Sequence, residues 1–262
     1  MIALVPLAAS VMMATLSSVL TFNVQFDATA AERSRTLDVI EQADADVLCL
    51  QEVTKGFVAV FKKRLATRYP SISAAPAAGT WGLLVASKYP VNQVTVFPVK
   101  PHAMPAMEAT IHHPSAEVRL VCLHLFPSGA KRNRNQSLLS AMAENTGLRA
   151  SQAATLAARY RSETRPLLVL GDFNEEDGAG VMTAMEPLQL VNACRNPDAA
   201  CTATWPGGNS PWPAVAQVDH ILGARLVFSG ARTLRQGGSD HFPVRADFAC
   251  AEDSNPVERV NR

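Results

Sequence analysis

The chain has 262 residues, with 24 Lys and Arg against 23 Asp and Glu and a formal charge of +1. At 48% hydrophobic and 18% charged residues it is neither disordered nor collagen-like. The near-neutral balance excludes the broad cationic field of a protein that holds nucleic acid mainly through charge, while leaving room for a local basic patch. One domain is the default at this length, since a core of this size needs no staples.

Met1 to Leu20 is almost wholly apolar or small, and the first charged side chain is Asp27. That length suits a membrane span or a secretory h-region, although the basic n-region is missing. The segment runs without a break into SVLTFNVQF, a strand with a candidate site residue, so any cleavage is expected before about Ser17. We read residues 1–17 as an apolar leader for export or anchoring, 18–250 as the main domain and 251–262 as a polar tail. A buried first strand with an apolar lead-in is the alternative.

Helical spacing of Leu37 and Ile40 predicts a helix over Thr29–Ala43, followed by a short apolar strand over Asp46–Val53. Thr54 can then cap a helix whose Phe57, Phe61 and Leu65 recur four apart. A Pro/Ala-rich loop is expected over Tyr69–Gly79, then strands at Trp81–Ser87, Val91–Pro98, Ala106–His112 and Val118–Phe126. Asn135–Arg161 reads as helical with a break at Gly147, and Leu167–Leu170 as a buried strand. A short helix, an irregular stretch over Cys194–Pro213, and strands near Val218–Leu222 and Val244–Phe248 complete the order. Strands and helices interleave without the regular alternation of a parallel dinucleotide-binding sheet, and a two-sheet core flanked by helices fits better.

The five cysteines form no C-x-x-C pair, which argues against a structural zinc site. Cys49 and Cys122 sit in apolar runs and read as small buried hydrophobes. Cys194 and Cys201 bracket the polar loop CRNPDAAC, which can close as a disulfide in an oxidising compartment or remain open. His102, His112 and His113 lie beside prolines or in turns and are expected at the surface.

Polar residues at the ends of apolar strands are where reactive groups are mounted, because a strand holds a side chain firmly. Asn23 in LTFNVQF, Glu52 in LCLQEV, His124 in VCLHLF, Asp172 and Asn174 in LLVLGDFN, Asp219 in VDHIL, and Asp240 and His241 in GGSDHFPV all meet this description. Glu52 ends a run that should be buried, so its carboxylate needs a partner or a metal. Asp172 and Asn174 are two apart and face the same way in extended chain, while Gly171 permits close backbone approach. In Asp219–His220 and in Asp240–His241 the neighbours cannot both point one way. One member of each pair is therefore structural, and Asp219 with His241 is the dyad of choice, the carboxylate setting the imidazole's tautomer.

Taken together and in order, N-V-Q-F, L-Q-E-V, H-L, G-D-F-N, D-H-I and S-D-H-F-P-V resemble the endonuclease/exonuclease/phosphatase superfamily over roughly Ser18 to Phe248. The resemblance implies an α/β (α+β) fold, a four-layer sandwich of two mixed, mainly antiparallel sheets flanked by helices, with 18–250 as the catalytic domain. It also implies Mg²⁺, with Mn²⁺ or Ca²⁺ as substitutes, held chiefly by Glu52 with Asn23 and Asp240 nearby. His241, oriented by Asp219, would be the general base or a phosphate-polarising group. Asp172 would orient or activate water, and Asn174 and His124 would bind phosphoryl oxygens, with His124 also assisting the leaving group.

The basic loop Lys131-Arg132-Asn133-Arg134, with Arg149 and Gln152 on the following helix, offers a place for a phosphate-rich ligand or is simply solvated. No aromatic residue interleaves with it in sequence, so a stacking platform for single strands is not indicated. The expectation is a monomeric, extracytoplasmic, metal-dependent phosphoesterase acting on a phosphomonoester, lipid phosphate or phosphodiester, with a route to membrane association through the N-terminus. A secreted deoxyribonuclease-type enzyme is the alternative, and a catalytically silent binding module on the same scaffold is a third reading.

Overall fold

The computed structural model describes residues 15–251 apart from 103 and 132. The apolar leader up to residue 14 and the tail from residue 252 lie outside the described residues, as do the readings placed on them. Among the described residues, no helix is long and apolar enough to cross a membrane.

Twelve strands form two six-stranded sheets. The first has the order β11 (Leu226–Thr233), β12 (Val244–Cys250), β1 (Ser17–Asn23), β2 (Val47–Gln51), β4 (Leu83–Ser87), β3 (Ser71–Ala75). The second has the order β5 (Val91–Val99), β6 (Met104–His113), β7 (Ala116–His124), β8 (Leu167–Asp172), β10 (Asp219–Ala224), β9 (Val191–Asn192). Each sheet contains one parallel pair, β1 with β2 and β7 with β8, and is otherwise antiparallel. The parallel pairs are joined by crossover helices, α1 (Ala30–Ala43) between β1 and β2 and α3 (Leu138–Tyr160) between β7 and β8.

Period-two alternation explains why the central strands read as unbroken apolar runs. Val19, Val47, Leu120 and Leu168 point into the core between the sheets. Their neighbours Leu20 and Leu48 point outward beneath α1 and α2 (Lys55–Leu65), joining Leu37, Ile40, Phe57 and Phe61. On the other side, Val121 and Val169 pack with Leu156 and Ala157 of α3 and Val181 of α4 (Gly180–Met185). The result is four layers, helices over sheet over sheet over helices. Phe61 is wholly buried, and truncation to Ala would cost about 3–5 kcal/mol through lost burial and the cavity left behind.

Local chemistry starts the helices where the sequence places them. Thr29 and Glu32 form a reciprocal capping box on α1, Thr54 Oγ1 accepts from the Phe57 N–H, and Ser137 Oγ accepts from the Ser140 N–H.

Four expectations are corrected. Ser71–Ala75 is a strand rather than loop, made so by antiparallel pairing with β4. α3 continues through Gly147, whose exposed position costs propensity but is outweighed by buried Ala141, Asn145, Arg149 and Ala153 on either side. Cys49 and Cys122 are bonded to each other, joining β2 to β7 across the core, because both face inward from opposed sheets. His113 is buried, with Nε2 at 2.8 Å from Ser17 Oγ and Nδ1 accepting from the Ser115 N–H. The Cys194–Cys201 disulfide is formed, and Cys250 is a buried free thiol.

Candidate active site

The strand directions bring six distant segments to one end of the sandwich. In β1 and β2 the register pairs Asn23 with Gln51, so Asn23 and the following Glu52 emerge together. In β7 and β8 it pairs His124 with Asp172, and antiparallel β10 begins at Asp219 opposite Asp172. β12 starts at Val244 beside Thr21, which brings Asp240 and His241 to the same end.

Asp172 is the centre of the arrangement and is buried. Its Oδ2 accepts from Asn23 Nδ2 at 3.0 Å and faces His124 Nε2 at 3.4 Å and His241 Nε2 at 3.6 Å. Its Oδ1 accepts from the Asn174 N–H at 2.8 Å. Asn23 Nδ2 also donates to Glu52 Oε1 at 3.2 Å, while the Phe26 N–H donates to Glu52 Oε2 at 3.1 Å. His241 Nδ1 lies 2.8 Å from Asp219 Oδ2. The Thr80 carbonyl, which can only accept, fixes a hydrogen on His124 Nδ1 at 2.9 Å and directs Nε2 at Asp172.

Burial alone would lower the pKa of His241, but the Asp219 and Asp172 carboxylates override it and push it up to about 10. Burial likewise works to raise Asp172, yet the His241 and His124 imidazoles, the Asn23 amide and the Asn174 N–H together hold it below the usual carboxylate range. At neutral pH the centre therefore pairs a protonated His241 with an ionised Asp172.

The backbone is bent to suit the site. Glu52 and Asn174 adopt left-handed conformations, with φ of 60° and 52°, a cost that non-glycine residues bear only where the surroundings compel it. Gly171 has φ of +152°, and a Cβ there would lie 1.9 Å from the Leu123 carbonyl oxygen, so close approach of β7 and β8 beneath His124 and Asp172 requires glycine.

Every residue singled out in sequence is at this end of the fold. Asn174 turns its side chain to the Leu125 carbonyl, so its backbone N–H, rather than its amide, faces Asp172. His220 is the structural member of its pair, buried with Nε2 at 2.9 Å from the Glu175 carbonyl. Arg149 and Gln152 are not free to hold a phosphate-rich ligand, one of the two readings open for this region. Both are buried, Arg149 bonded to Glu175 and the Phe126 carbonyl, and Gln152 to the Phe126 N–H and the carbonyls of Val99 and His102.

Gln25 was missed. Its Oε1 accepts from the Asp240 N–H at 3.0 Å and from Asn209, while its own N–H donates to Asn23 Oδ1 at 3.1 Å. Its place in N-V-Q-F, two residues after Asn23, was the available signal.

Two groups of side chains could hold a cation. Asp172, Asp219 and His241 have ligand atoms within 4.8 Å of one another, but the 2.8 Å contact between His241 Nδ1 and Asp219 is filled by a hydrogen. The second is Glu52, in contact with Asn23 at 3.2 Å, with Asp240 brought to the same end by the segment before β12. Glu52 and Asp240 are half-buried carboxylates, and neither has an ion-pair partner among the described residues. A hard divalent cation with few protein oxygens and several waters suits such a set.

The model of the Endonuclease/Exonuclease/phosphatase family matches residues 20–241. Among curated proteins none matches the chain by sequence. Similar solved structures include an endonuclease/exonuclease/phosphatase from Bacteroides vulgatus, at 16% identity and TM-score 0.69, covering 90% of this chain and 99% of that one. TDP2 of D. rerio, complexed with a single-strand DNA product, is similar at 17% identity and TM-score 0.70, covering 89% of this chain and 99% of that one. Sphingomyelinase C from Streptomyces griseocarneus is similar at 16% identity and TM-score 0.67, covering 89% and 99%. At these identities the structural likeness shows the fold, and the match over residues 20–241 places this chain in the endonuclease/exonuclease/phosphatase family.

Proposed function

We propose that the chain hydrolyses phosphoester bonds by attack of water, with Mg²⁺ held by Glu52, Asn23 and Asp240. The observation that carries this reading is the convergence of Asn23, His124 and His241 on one acceptor, Asp172 Oδ2, with Glu52 bonded to Asn23 and Asp219 to His241. When bound, the cation would neutralise phosphoryl charge and polarise the scissile group. Asp219 holds His241 so that Nε2 is presented as a proton donor to a phosphoryl oxygen. Ionised Asp172, fixed by Asn23 and the Asn174 N–H, is placed to orient water and accept its proton. His124, with its Nδ1 hydrogen committed to Thr80, presents Nε2 toward the phosphoryl or leaving-group oxygen. No covalent nucleophile is needed, because stabilising the charge of a five-coordinate phosphorus and aligning water account for the work.

The apolar leader and the two disulfides support an extracytoplasmic location, since buried cross-links persist in oxidising compartments. The test is hydrolysis of a soluble nitrophenyl phosphodiester and monoester with Mg²⁺ and with chelator. Activity that needs the metal and disappears in His241→Ala supports the reading. Equal turnover by His241→Ala would remove it.

A deoxyribonuclease-type activity is the second reading, favoured by exposed Lys131 and Arg134 in the loop that leads from β7 to α3. Metal-dependent nicking of supercoiled plasmid, absent in His241→Ala, would select it. A silent binding module accounts less well for so complete a constellation.

A further inference from the structure

All three tryptophans of the chain are exposed, Trp81 by 45%, Trp205 by 43% and Trp212 by 74%. Tryptophan is highly buried on average, so this is unusual. Of the ten phenylalanines, only Phe26 is exposed to a similar degree, at 39%.

These four aromatics are gathered at the active-site end. Phe26 is bonded through its N–H to Glu52. Trp81 follows Thr80, whose carbonyl holds His124. Trp205 follows Thr204, whose Oγ1 accepts from the Asp219 N–H. Trp212 belongs to the loop in which Gly207 donates to the Asp240 carbonyl and Asn209 to Gln25.

The first turns of α3 extend the same rim. Leu139 is 80% exposed, with Leu138 and Met142 exposed beside it. Asn145 ties this end of α3 to the carbonyls of Pro127, Ser128 and Ala130, and Ser128 is bonded to the Asn174 carbonyl. Segments bonded to the residues around buried Asp172 thus carry a collar of exposed apolar side chains, with Lys131 and Arg134 exposed next to α3. Exposed apolar surface of this kind around a polar site marks a binding surface.

We propose that the collar docks on a phospholipid bilayer and that the substrate is the phosphate ester of a lipid headgroup presented there. Indole rings favour the headgroup depth of a membrane, leucine and methionine enter its acyl boundary, and basic side chains meet its phosphates. A single-stranded nucleic acid is a poorer fit. Leu138, Leu139 and Met142 have no π-face on which bases stack. The substrate half of the proposal rests on the phosphoesterase reading, whereas the docking surface can be tested without it.

The experiment mixes the full chain with vesicles of phosphatidylcholine, alone and with added phosphatidylglycerol, and reads tryptophan emission. Because every tryptophan lies on the collar, docking should shift emission to the blue. Trp212→Ser and Leu139→Ser, both at exposed positions that folding does not need, should each lower vesicle partition by roughly tenfold. His241→Ala should dock like the unaltered chain. The apolar N-terminal residues can bind vesicles by themselves, so the emission shift and the two serine variants decide. Emission unchanged by vesicles, or partition unaffected in both variants, overturns the docking surface. Quenching by oligothymidylate without any response to vesicles overturns it in favour of a base-stacking platform. Docking by a protein that hydrolyses neither vesicle lipid nor soluble nitrophenyl ester overturns the phosphoesterase reading and the lipid substrate, while the surface stands.

Discussion

The imidazole of His241 and the carboxylate of Asp219, 22 residues apart, meet at 2.8 Å, which leaves Nε2 of the same ring facing Asp172 at 3.6 Å. Two carboxylates thus act on one buried ring, and its orientation depends on which atom of residue 219 is an acceptor. Asp219→Asn should lower kcat on a soluble phosphoester by about a hundredfold or more, since an amide N–H facing Nδ1 disfavours the required tautomer. Steady-state kinetics check this, with circular dichroism to show that the fold is intact. Unchanged kcat would mean that the dyad has no part in turnover.

Glu52, like Asp240, has no ion-pair partner among the described residues. Glu52→Gln keeps its shape and its bond from Asn23 but removes the charge that would hold a divalent ion. The Mg²⁺ concentration for half-maximal activity should rise on the order of tenfold or more. Thermal stability in chelator should be unchanged or higher, because a half-buried unpaired charge has been removed. A metal titration followed by activity and by calorimetry tests both halves, and an unaltered metal response would move the cation site elsewhere.

The buried Cys49–Cys122 disulfide joins the strand that ends at Gln51, just before Glu52, to the strand that ends at His124. Its partners are 73 residues apart, so the cross-link restrains a long stretch of the unfolded chain. The paired change Cys49→Ala and Cys122→Ala should cost about 2–5 kcal/mol. For a chain of this size each kcal/mol corresponds to a fall in Tm of roughly 2–4 °C. Thermal unfolding with and without reductant measures it: reductant should destabilise the unaltered protein more than the paired variant.

Burial pushes the His113 imidazole below its ordinary pKa, with only partial opposition from the Asp46 charge. The folded protein therefore binds this proton less readily than the unfolded chain. Stability from neutral His113 is full above the unfolded value of about 6.5 and is lost as pH falls toward and through the lower folded value. Buried His220, lowered by burial in the same way, adds a term of equal sign. Denaturant midpoints should drop from pH 7 to pH 5, and His113→Gln should shallow that drop without abolishing it. An identical pH profile in the variant would show that His113 does not titrate on unfolding.

What the sequence determined by itself was whatever depends on neighbours along the chain. The caps at Thr29 and Thr54, the Phe57, Phe61, Leu65 stripe, and the polar residues ending apolar strands all follow from local periodicity. The choice of Asp219 with His241 could also be reasoned locally, because adjacent residues in a strand cannot face the same way. Tertiary pairing decided the rest. Ser71–Ala75 became a strand only by lying along β4, and α3 passes Gly147 because contacts on both sides outweigh one weak helix former. Cys49 found Cys122 because two sheets face each other, a relation that no spacing encodes. Arg149, weighed in sequence as a contact for a phosphate-rich ligand, is turned inward by Glu175. Three tryptophans and Phe26, spread over nearly 190 residues of sequence, share one rim because strand direction and loop closure bring their segments to the same end.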